Sequence, residues 1–341
     1  MEIATPIILT VIAGLIATAI GLKAEAIGRK LGILDIPDGG RKDHEHVTPL
    51  AGGLCALIPV LLLLPAGAWL YPNHVFVYAV LGTGLAGFLL LGLFDDRRHI
   101  RPSVRLLLSL GMTLAAMLAL PALNVDFLNF SFLSRAVFLD EWGFLFTALS
   151  LVGLQNAVNM ADGRNGLVTG LSLIWLFLIG LYAPPFLLPV IIAALAAVAI
   201  AFVFNIAGRL FLGDGGAYGL AFLTGSLAIL TYFSRFDVLP ADVVALWFLV
   251  PVTDCLRLMS GRIMRGRSPF EADRNHLHHH LNRLMRWRYG LAVYLGLVLL
   301  PGLLAYWTPQ YTPVWAASSL IAYRAILSLV RRAGAHRPVM R

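Results

Sequence analysis

Residues 185–204 read PFLLPVIIAALAAVAIAFVF, twenty positions without a charged side chain. A transmembrane helix needs about 20 such residues to cross the hydrocarbon core of a bilayer, which is about 30 Å thick. The rest of the chain has the same character, since 59% of its 341 residues are hydrophobic and 13% are charged. A soluble globular domain carries about 25% charged residues. The composition therefore excludes the soluble class and predicts a membrane protein.

Apolar runs of this kind recur along the chain and predict an all-α polytopic fold with about eleven transmembrane helices. The first run is predicted to be an uncleaved span rather than a signal peptide, because no basic residue precedes it. The predicted spans cover residues 4–22, 50–70, 75–94, 106–123, 142–160, 167–182, 185–204, 217–233, 243–258, 289–307 and 314–330.

The distribution of Lys and Arg predicts which side of the membrane each loop faces, because cytoplasmic loops are enriched in both. With the N-terminus extracytoplasmic and the C-terminus cytoplasmic, only Arg135 and Arg235 of the 26 Lys and Arg residues lie outside. Reading residues 167–204 as one span would move the basic loop 257–288 outside, so a hairpin is predicted there. Contact with anionic lipid then explains the net charge of +8, and no nucleic-acid partner is expected.

Polar residues concentrate on one predicted face of the membrane. We expect residues 1–341 to form a single transmembrane domain, because no long hydrophilic segment or internal repeat divides the chain. One extracytoplasmic segment, 124–141, is aromatic and is predicted to lie along the membrane surface. The five predicted cytoplasmic loops, which carry the polar residues, are 23–49, 95–105, 159–166, 205–216 and 257–288.

The first loop ends in Gly52-Gly53 at the entry to the next span. Backbone amides at such an entry can receive an anion, with Arg41 and Lys42 as charge partners. The alternative is a solvated loop that is basic only because it faces the cytoplasm.

The second loop opens with Asp95-Asp96 at the end of a span, where a carboxylate near lipid is costly. Oxygen ligands of this kind suit Mg²⁺, which completes its shell with water and substrate phosphates. The alternative is a pair neutralised by the basic residues that follow it, Arg97, Arg98 and Arg101.

The third and fourth loops display amides and carboxylates among glycines. Residues 156–166 read NAVNMADGRNG, which is predicted to break a helix and to offer groups that hold a hydrated metal or read a base edge. In the fourth loop Asp214 stands among three glycines at the start of a span. It is predicted to cap that helix or to bind a metal, and the glycines would let a ligand approach the backbone.

The fifth loop contains Arg262, Arg265 and Arg267 and then four histidines within residues 276–280. A zinc site is one reading of the histidines, but no Cys and no H-E-x-x-H pattern supports it. Arginine and histidine together more naturally bind phosphate. Asp254, three residues before Arg257, is predicted to form an ion pair within its helix.

The five loops together, with acids for Mg²⁺ and bases for phosphates, indicate phosphoryl transfer between a cytosolic substrate and a lipid. They also resemble a known family, the polyprenyl-phosphate N-acetylhexosamine-1-phosphate transferases of glycosyltransferase family 4, and in it the WecA-like and TagO-like branch. The resemblance rests on five ordered motifs: R-K-x-H with P-x-x-G-G, the D-D pair, N-x-x-N-x-x-D-G-x-x-G-L, F-x-G-D-x-G, and S-P-F-x-x-D-R-x-H-x-H-H.

The resemblance implies a bacterial inner-membrane enzyme with its active site on the cytoplasmic face. It would transfer a sugar 1-phosphate, with N-acetylglucosamine 1-phosphate favoured, from a UDP-sugar to undecaprenyl phosphate and release UMP. The product would start a cell-envelope glycan, such as a wall polymer or a lipopolysaccharide O-antigen. The cofactor implied is Mg²⁺, with Mn²⁺ as an alternative, and a homodimer is left open.

The same resemblance implies roles for individual residues. The metal ligands would be Asn159 and Asp214, and the catalytic residues Asp95, Asp96 and Asp162. The substrate-binding residues would be Phe211 stacked on uracil, Asn165 at its edge, Arg262, His276, His278 and His279 at the diphosphate and sugar, and Lys42 and His44 on the nucleotide side. Asn165 replaces an Asp that many bacterial members carry, and His99 replaces an acid.

Two mechanisms and two rival functions stay open at this point. Direct in-line attack by the lipid phosphate is favoured, because the second pKa of a phosphate monoester lies near 6. An aspartyl-phosphate intermediate is the alternative. An MraY-like transferase acting on a muramyl-pentapeptide nucleotide would end in a different histidine motif. A secondary transporter would place its ionisable residues near the bilayer midplane rather than at span ends.

Overall fold

The computed structural model describes residues 4–37, 46–269, 271 and 275–335. Within them the chain forms the helices α1 Ala4–Leu22, α2 Ala24–Leu31, α3 Gly52–Leu70, α4 Val75–Arg98, α5 Pro102–Ala119, α6 Trp142–Ala161, α7 Leu167–Gly180, α8 Leu188–Ile206, α9 Gly213–Arg235, α10 Ala241–Ile263, α11 Leu277–Leu284, α12 Trp287–Trp307 and α13 Thr312–Ala335. The strand pairs are β1 Leu34–Asp35 with β2 Thr48–Pro49, and β3 Phe127–Leu128 with β4 Val137–Phe138, both antiparallel.

The predicted all-α polytopic fold is confirmed. Ten helices among the described residues are long and apolar enough to cross a membrane. The one predicted span that is not among these ten, 167–182, corresponds to the 14-residue helix α7. At 1.5 Å per residue α7 is about 21 Å long, shorter than the hydrocarbon core of a bilayer. It is buried along most of its length among other helices, which explains how a short apolar helix fits into the fold.

Helix α9 lies at the centre of the bundle, with almost every residue from Gly213 to Tyr232 buried. It packs against α3, α4, α6 and α7. Its N-terminus meets α4 at Gly92, where an added Cβ would lie 2.2 Å from the backbone nitrogen of Gly215. Only glycine at position 92 allows this close approach of α4 to the first turn of α9.

Several helices continue beyond the apolar runs that predicted them. Helix α4 includes Asp95 and Asp96, which were assigned to a loop, and the connection to α5 is only residues 99–101. Helix α6 likewise includes Asn156 and Asn159 and ends at the Asp162-Gly163 turn. The Asn156 side chain donates a 2.8 Å hydrogen bond to the Val152 carbonyl, so this amide fits within the helix instead of breaking it.

The far end of the bundle carries the aromatic segment that was predicted to lie along the membrane surface. There β3 and β4 pair in a short hairpin, and Tyr232 of α9 donates to the Phe127 carbonyl at 3.2 Å. Asp242, at the start of α10, accepts two hydrogen bonds from Ser131, at 2.9 Å from its nitrogen and 2.5 Å from its hydroxyl. These contacts anchor the hairpin to α9 and α10.

Candidate active site

Four aspartates from three helix ends form an acidic cluster: Asp95, Asp96, Asp162 and Asp214. They lie close enough to interact electrostatically with one another. The two residues predicted to bind a metal are in direct contact, since Asn159 Nδ2 donates to Asp214 Oδ1 at 2.6 Å. The structure therefore brings together five predicted site residues from three separate motifs.

Asp96 holds the N-terminus of α9. Its carboxylate accepts hydrogen bonds from the Asp214 and Gly215 backbone nitrogens, at 3.0 and 3.4 Å. A helix N-terminus has unpaired amides and a partial positive charge, which stabilise a carboxylate. The helix cap expected from Asp214 is thus supplied by Asp96 of α4. Gly213 has φ +73° and a Cβ there would lie 2.7 Å from Asp96 Oδ2, so this position requires glycine.

Asp95 is buried and has a different partner from the one expected. Arg105 of α5 donates to Asp95 Oδ2 at 2.6 Å, and the Ile100 backbone nitrogen donates to Oδ1 at 2.7 Å. The alternative partners, Arg97, Arg98 and Arg101, have exposed side chains, and Arg105 forms the ion pair with Asp95 instead. Arg105 Nη1 also lies 3.9 Å from Asp214 Oδ2, which links two carboxylates of the cluster.

Sequence reasoning missed Arg105 because it counted only the charges next to the Asp95-Asp96 pair. The available signal was a basic residue inside an apolar helix, one turn after Pro102.

His99, whose role was open, ends α4 in the left-handed conformation, with φ 51°, and its backbone nitrogen donates to the Asp95 carbonyl at 2.8 Å. It turns the chain so that Arg105 can reach back to Asp95.

Asp162 follows α6 and is only partly exposed. Burial, and after it the negative charge of Asp214, raises the pKa of Asp162 to about 7. The acidic cluster has four carboxylates and, within the described part of the chain, one guanidinium bonded to it. This excess of negative charge favours a bound cation.

Oxygen donors of the acidic cluster are of the kind that Mg²⁺ prefers, namely carboxylates completed by water and substrate phosphates. Asp214 and the amide oxygen of Asn159 are one such pair, and Asp162, which interacts electrostatically with Asp214, is a further carboxylate of the cluster. Within residues 4–37, 46–269, 271 and 275–335, no three His, Cys, Asp or Glu side chains converge on one ion position. The donor set fits a hydrated Mg²⁺ held by few protein ligands.

The histidines of the fifth loop lie at the start of α11. The rings of His276 and His278 are parallel, with centroids 5.3 Å apart, and His279 lies 4.2 Å from His278. Burial, and then the neighbouring His279 and His276, lowers the pKa of His278 well below its usual value. His278 is therefore neutral at pH 7, and its Nε2 is buried without a hydrogen-bond partner among the described residues.

This histidine cluster contacts the third motif. A Cβ added to Gly163 would lie 2.5 Å from His278 Nε2, so the ring faces the turn that carries Asp162. Arg262 is buried and donates to the Pro269 carbonyl at 2.6 Å, which fixes the position of Pro269 against the end of α10. The predicted ion pair of Asp254 with Arg257 is confirmed at 2.8 Å.

The predicted uracil-binding residues lie at the third and fourth motifs, which Asn205 joins. Asn205 accepts from the Gly166 nitrogen at 2.6 Å and donates to the Leu210 carbonyl at 3.0 Å. Asn165 is held through its carbonyl by Trp287 Nε1 at 2.8 Å, and Phe211 is half-buried. Asn205 thus holds together the residues that follow Asn165 and precede Phe211.

The remaining predictions concern the first loop. Lys42 and His44 lie outside the described residues. Of the two alternatives for this loop, an anion site is not supported by the Gly52 and Gly53 amides, because they donate to the Phe211 and Leu212 carbonyls, each at 2.9 Å. These bonds join the first motif to the fourth.

An apolar groove of about 750 Å³ runs along the bundle between α5, α6, α9 and α10. One end is lined by Leu106 and Asn156, which lie within a turn of Arg105 and Asn159. The other end is lined by Leu128 of the far hairpin. The groove therefore connects the acidic cluster with the opposite end of the bundle. Leu149 and Leu256, which line it, are 62% and 58% exposed, so it is open along its side.

Comparison with known proteins confirms the resemblance drawn from the motifs. Residues 78–232 match the sequence model described as glycosyl transferase family 4. This match includes the aspartates of the acidic cluster, Asn159 and the apolar helices between them.

Individual relatives cover most of the chain. A protein of Bacillus subtilis (strain 168), named "probable undecaprenyl-phosphate N-acetylglucosaminyl 1-phosphate transferase", is 28% identical over 287 residues, 82% of this chain and 77% of its own length. The undecaprenyl-phosphate alpha-N-acetylglucosaminyl 1-phosphate transferase of Yersinia pestis is 29% identical over 76% of this chain and 72% of its own. That of Escherichia coli (strain K12) is 28% identical with the same coverage.

Proposed function

We propose, from the match to glycosyl transferase family 4 and the relatives' printed activity, that this protein transfers N-acetylglucosamine 1-phosphate from its UDP-sugar to undecaprenyl phosphate and releases UMP. One structural observation carries the proposal: the acidic cluster stands at the end of an apolar groove that is open to lipid. A soluble phosphoryl donor and a lipid phosphate can meet there.

The lipid acceptor occupies the groove in this proposal. A polyprenyl chain is apolar throughout, as the groove is, and its phosphate would reach the end lined by Leu106 and Asn156. Arg105 is next to that end, and its guanidinium has further N–H donors beyond the one used by Asp95. We assign to Arg105 the binding of the lipid phosphate, because a guanidinium is suited to phosphate oxygens.

Gly153→Trp tests this use of the groove. Gly153 lines the groove, and no side chain stands within 4 Å of an added Cβ, so an indole would enter the groove without a clash at the backbone. We expect the KM for undecaprenyl phosphate to rise about tenfold or more, since the indole occupies the volume of the lipid chain. The KM for the UDP-sugar should not change.

The matched control is Gly111→Trp, which adds the same side chain to open space on α5 outside the groove. It should leave both KM values unchanged. Equal effects of the two variants, or a rise in the KM for the UDP-sugar, would contradict a lipid site in the groove.

The hydrogen bonds of the carboxylates support direct transfer. Both oxygens of Asp95 and both of Asp96 already accept hydrogen bonds, which makes these carboxylates poor nucleophiles. In the proposed step an oxygen of the lipid phosphate forms the new bond to the sugar-linked phosphorus. The bond from that phosphorus to the UMP oxygen breaks, and UMP leaves with the electron pair. Asp162 would accept the proton from any lipid phosphate that is still monoanionic.

Asp214 and Asn159 would hold Mg²⁺, with Asp162 nearby. A bound Mg²⁺ would neutralise charge on the phosphates of the donor and acceptor. The histidine cluster and Arg262 would receive the diphosphate and sugar, and Asn165 and Phe211 the uracil. The contact of His278 with Gly163 supports this division, because it places the histidines beside the acidic cluster.

We also propose that the acidic cluster faces the cytoplasm and that the protein lies in a bacterial cytoplasmic membrane. The same end of the bundle exposes a set of basic side chains, as cytoplasmic loops do. This set is Arg97, Arg98, Arg101, Arg265 and Arg267.

The experiment that tests the function is UMP release by purified protein in detergent, with undecaprenyl phosphate, Mg²⁺ and a panel of UDP-sugars. We expect UMP release with UDP-N-acetylglucosamine and none when undecaprenyl phosphate is left out. One phosphoanhydride replaces another, so the step is nearly isoenergetic and excess UMP should regenerate the UDP-sugar from the lipid product. UMP release from the muramyl-pentapeptide nucleotide alone, or no release from any donor, would contradict the proposal.

A further inference from the structure

Asp254 of α10 is the centre of a buried network that the proposed reaction does not yet use. Its side chain is 5% exposed, and each carboxylate oxygen has two partners. Arg257 Nη2 and the Tyr323 hydroxyl donate to Oδ1 at 2.8 and 2.9 Å. His276 Nδ1 and the Leu277 backbone nitrogen lie 3.0 and 3.1 Å from Oδ2. A buried carboxylate with this many donors is ionised and held rigidly.

The network determines how His276 is presented. An ionised carboxylate can only accept hydrogen bonds, so the Nδ1 atom that faces it must carry a proton. The Nε2 atom on the opposite edge of the ring is therefore the nitrogen that can contact a ligand. The ring of His278 is parallel to that of His276 and packs against it. The Nε2 edge of His278 faces Gly163, which follows Asp162 in the chain. The orientation of His276 therefore affects the position of His278, which lies beside the acidic cluster.

Asp254 also fixes the start of α11. The Leu277 nitrogen is one of the amides that have no partner within that helix, and Asp254 supplies the partner from α10. Arg257 adds a second link through its Nη2, which donates to the Asn275 carbonyl at 2.5 Å. The position of the whole histidine cluster therefore depends on one carboxylate.

The last helix supports this arrangement from outside the five motifs. Tyr323 of α13 is buried, donates to Asp254 and accepts from Arg257 Nε at 2.6 Å. Its hydroxyl therefore fixes the relative positions of the carboxylate and the guanidinium. Helix α13 contributes to the site through this residue although it carries none of the motifs.

We propose that Asp254 is a positioning residue for the transfer, which acts by holding His276 and the start of α11 in the orientation that receives the UDP-sugar. The inference rests on the proposed function, because it takes the UDP-sugar as the ligand of the histidine cluster. It differs from a general stabilising role in one respect: Asp254 should contribute to activity only when His276 is present.

A double-mutant cycle separates these two roles. It compares wild-type protein, Asp254→Asn, His276→Ala and the double variant by kcat/KM for UDP-N-acetylglucosamine at saturating undecaprenyl phosphate. We expect Asp254→Asn to lower kcat/KM by about 10- to 100-fold, the usual cost of removing a carboxylate that orients a functional histidine. In the His276→Ala background the same substitution should change kcat/KM less than about threefold. An equal loss in both backgrounds would overturn the inference.

Asp242→Asn is the matched control for stability. Asp242 lies on the same helix, at its opposite end, and also accepts two hydrogen bonds, which are partly buried, from Ser131. This variant should retain wild-type kcat/KM even where its Tm falls. If Asp254→Asn does not fold, Tyr323→Phe replaces it in the cycle, because it removes one donor to Asp254 and preserves the ring. A wild type that releases no UMP would mean that the proposed function fails, whereas multiplicative losses in an active enzyme would mean that this inference fails.

Discussion

Asp214→Asn should lower the rate of UMP release by about a thousandfold, the upper range for removing one charge-stabilising group from an active site. The substitution keeps the size of the side chain, so the tight packing of the first turn of α9 on Gly92 should survive. It removes a carboxylate that contacts Asn159 at 2.6 Å and lies 3.9 Å from Arg105. The variant would therefore lose a metal ligand without losing the fold.

Thermal unfolding distinguishes this result from simple destabilisation. Four carboxylates lie together in the acidic cluster, so removing one relieves repulsion between like charges. In the absence of Mg²⁺ the Tm of Asp214→Asn should equal or exceed that of the wild type, which is common where function requires an unfavourable charge arrangement. Full activity of the variant would remove Asp214 from the proposed metal site.

The sequence predicted which segments are helical better than it predicted where each helix ends. The apolar runs predicted the helical class and eleven spans, of which ten correspond, in the described part of the chain, to helices long enough to cross a membrane. Membrane crossing depends on composition over about 20 residues, which is why hydropathy detects these helices. Hydropathy does not detect where a hydrogen-bonded backbone ends. This is why Asp95, Asp96 and Asn159 were assigned to loops although they lie in the last turns of α4 and α6.

The sequence also did not predict hydrogen-bond and ion-pair partners that lie far apart in the chain. The motif around Asp214 predicted a helix N-terminus, but the residue that caps it is 118 positions away on α4. Arg105 and Tyr323 were missed for the same reason, since neither adjoins a residue that it contacts. Local spacing could predict the Asp254–Arg257 pair, because three residues on a helix place two side chains together.

Removal of divalent cations should stop UMP release, and added Mg²⁺ should restore it. The loss expected is about a thousandfold, because a metal at transferring phosphates contributes several kcal/mol to the transition state. The acidic cluster gives the physical reason, since Arg105 alone does not balance its carboxylates within the described part of the chain. Activity that persists in a chelator would contradict the Mg²⁺ site.

The pH dependence of Mg²⁺ binding provides a test that does not rely on turnover. Without a cation, the pKa of Asp162 is raised to about 7, so the folded protein holds a proton there that the unfolded chain releases at lower pH. Stability should therefore fall as pH rises from about 4 to 7 in a chelator. Mg²⁺ competes with this proton, so the half-saturating Mg²⁺ concentration should rise about tenfold between pH 8 and pH 6.

The measurement is the shift in Tm produced by Mg²⁺ alone at several pH values. Both substrates are left out, because the lipid phosphate titrates in the same range. Asp162→Asn is the matched control: it keeps the shape of the turn beside Gly163 and removes the titrating carboxylate. Its half-saturating Mg²⁺ concentration should be higher and should change less between pH 6 and 8 than that of the wild type. A wild-type half-saturating concentration that does not change between pH 6 and 8 would show that Asp162 does not face the cation, and would restrict the proposed ligands to Asp214 and Asn159.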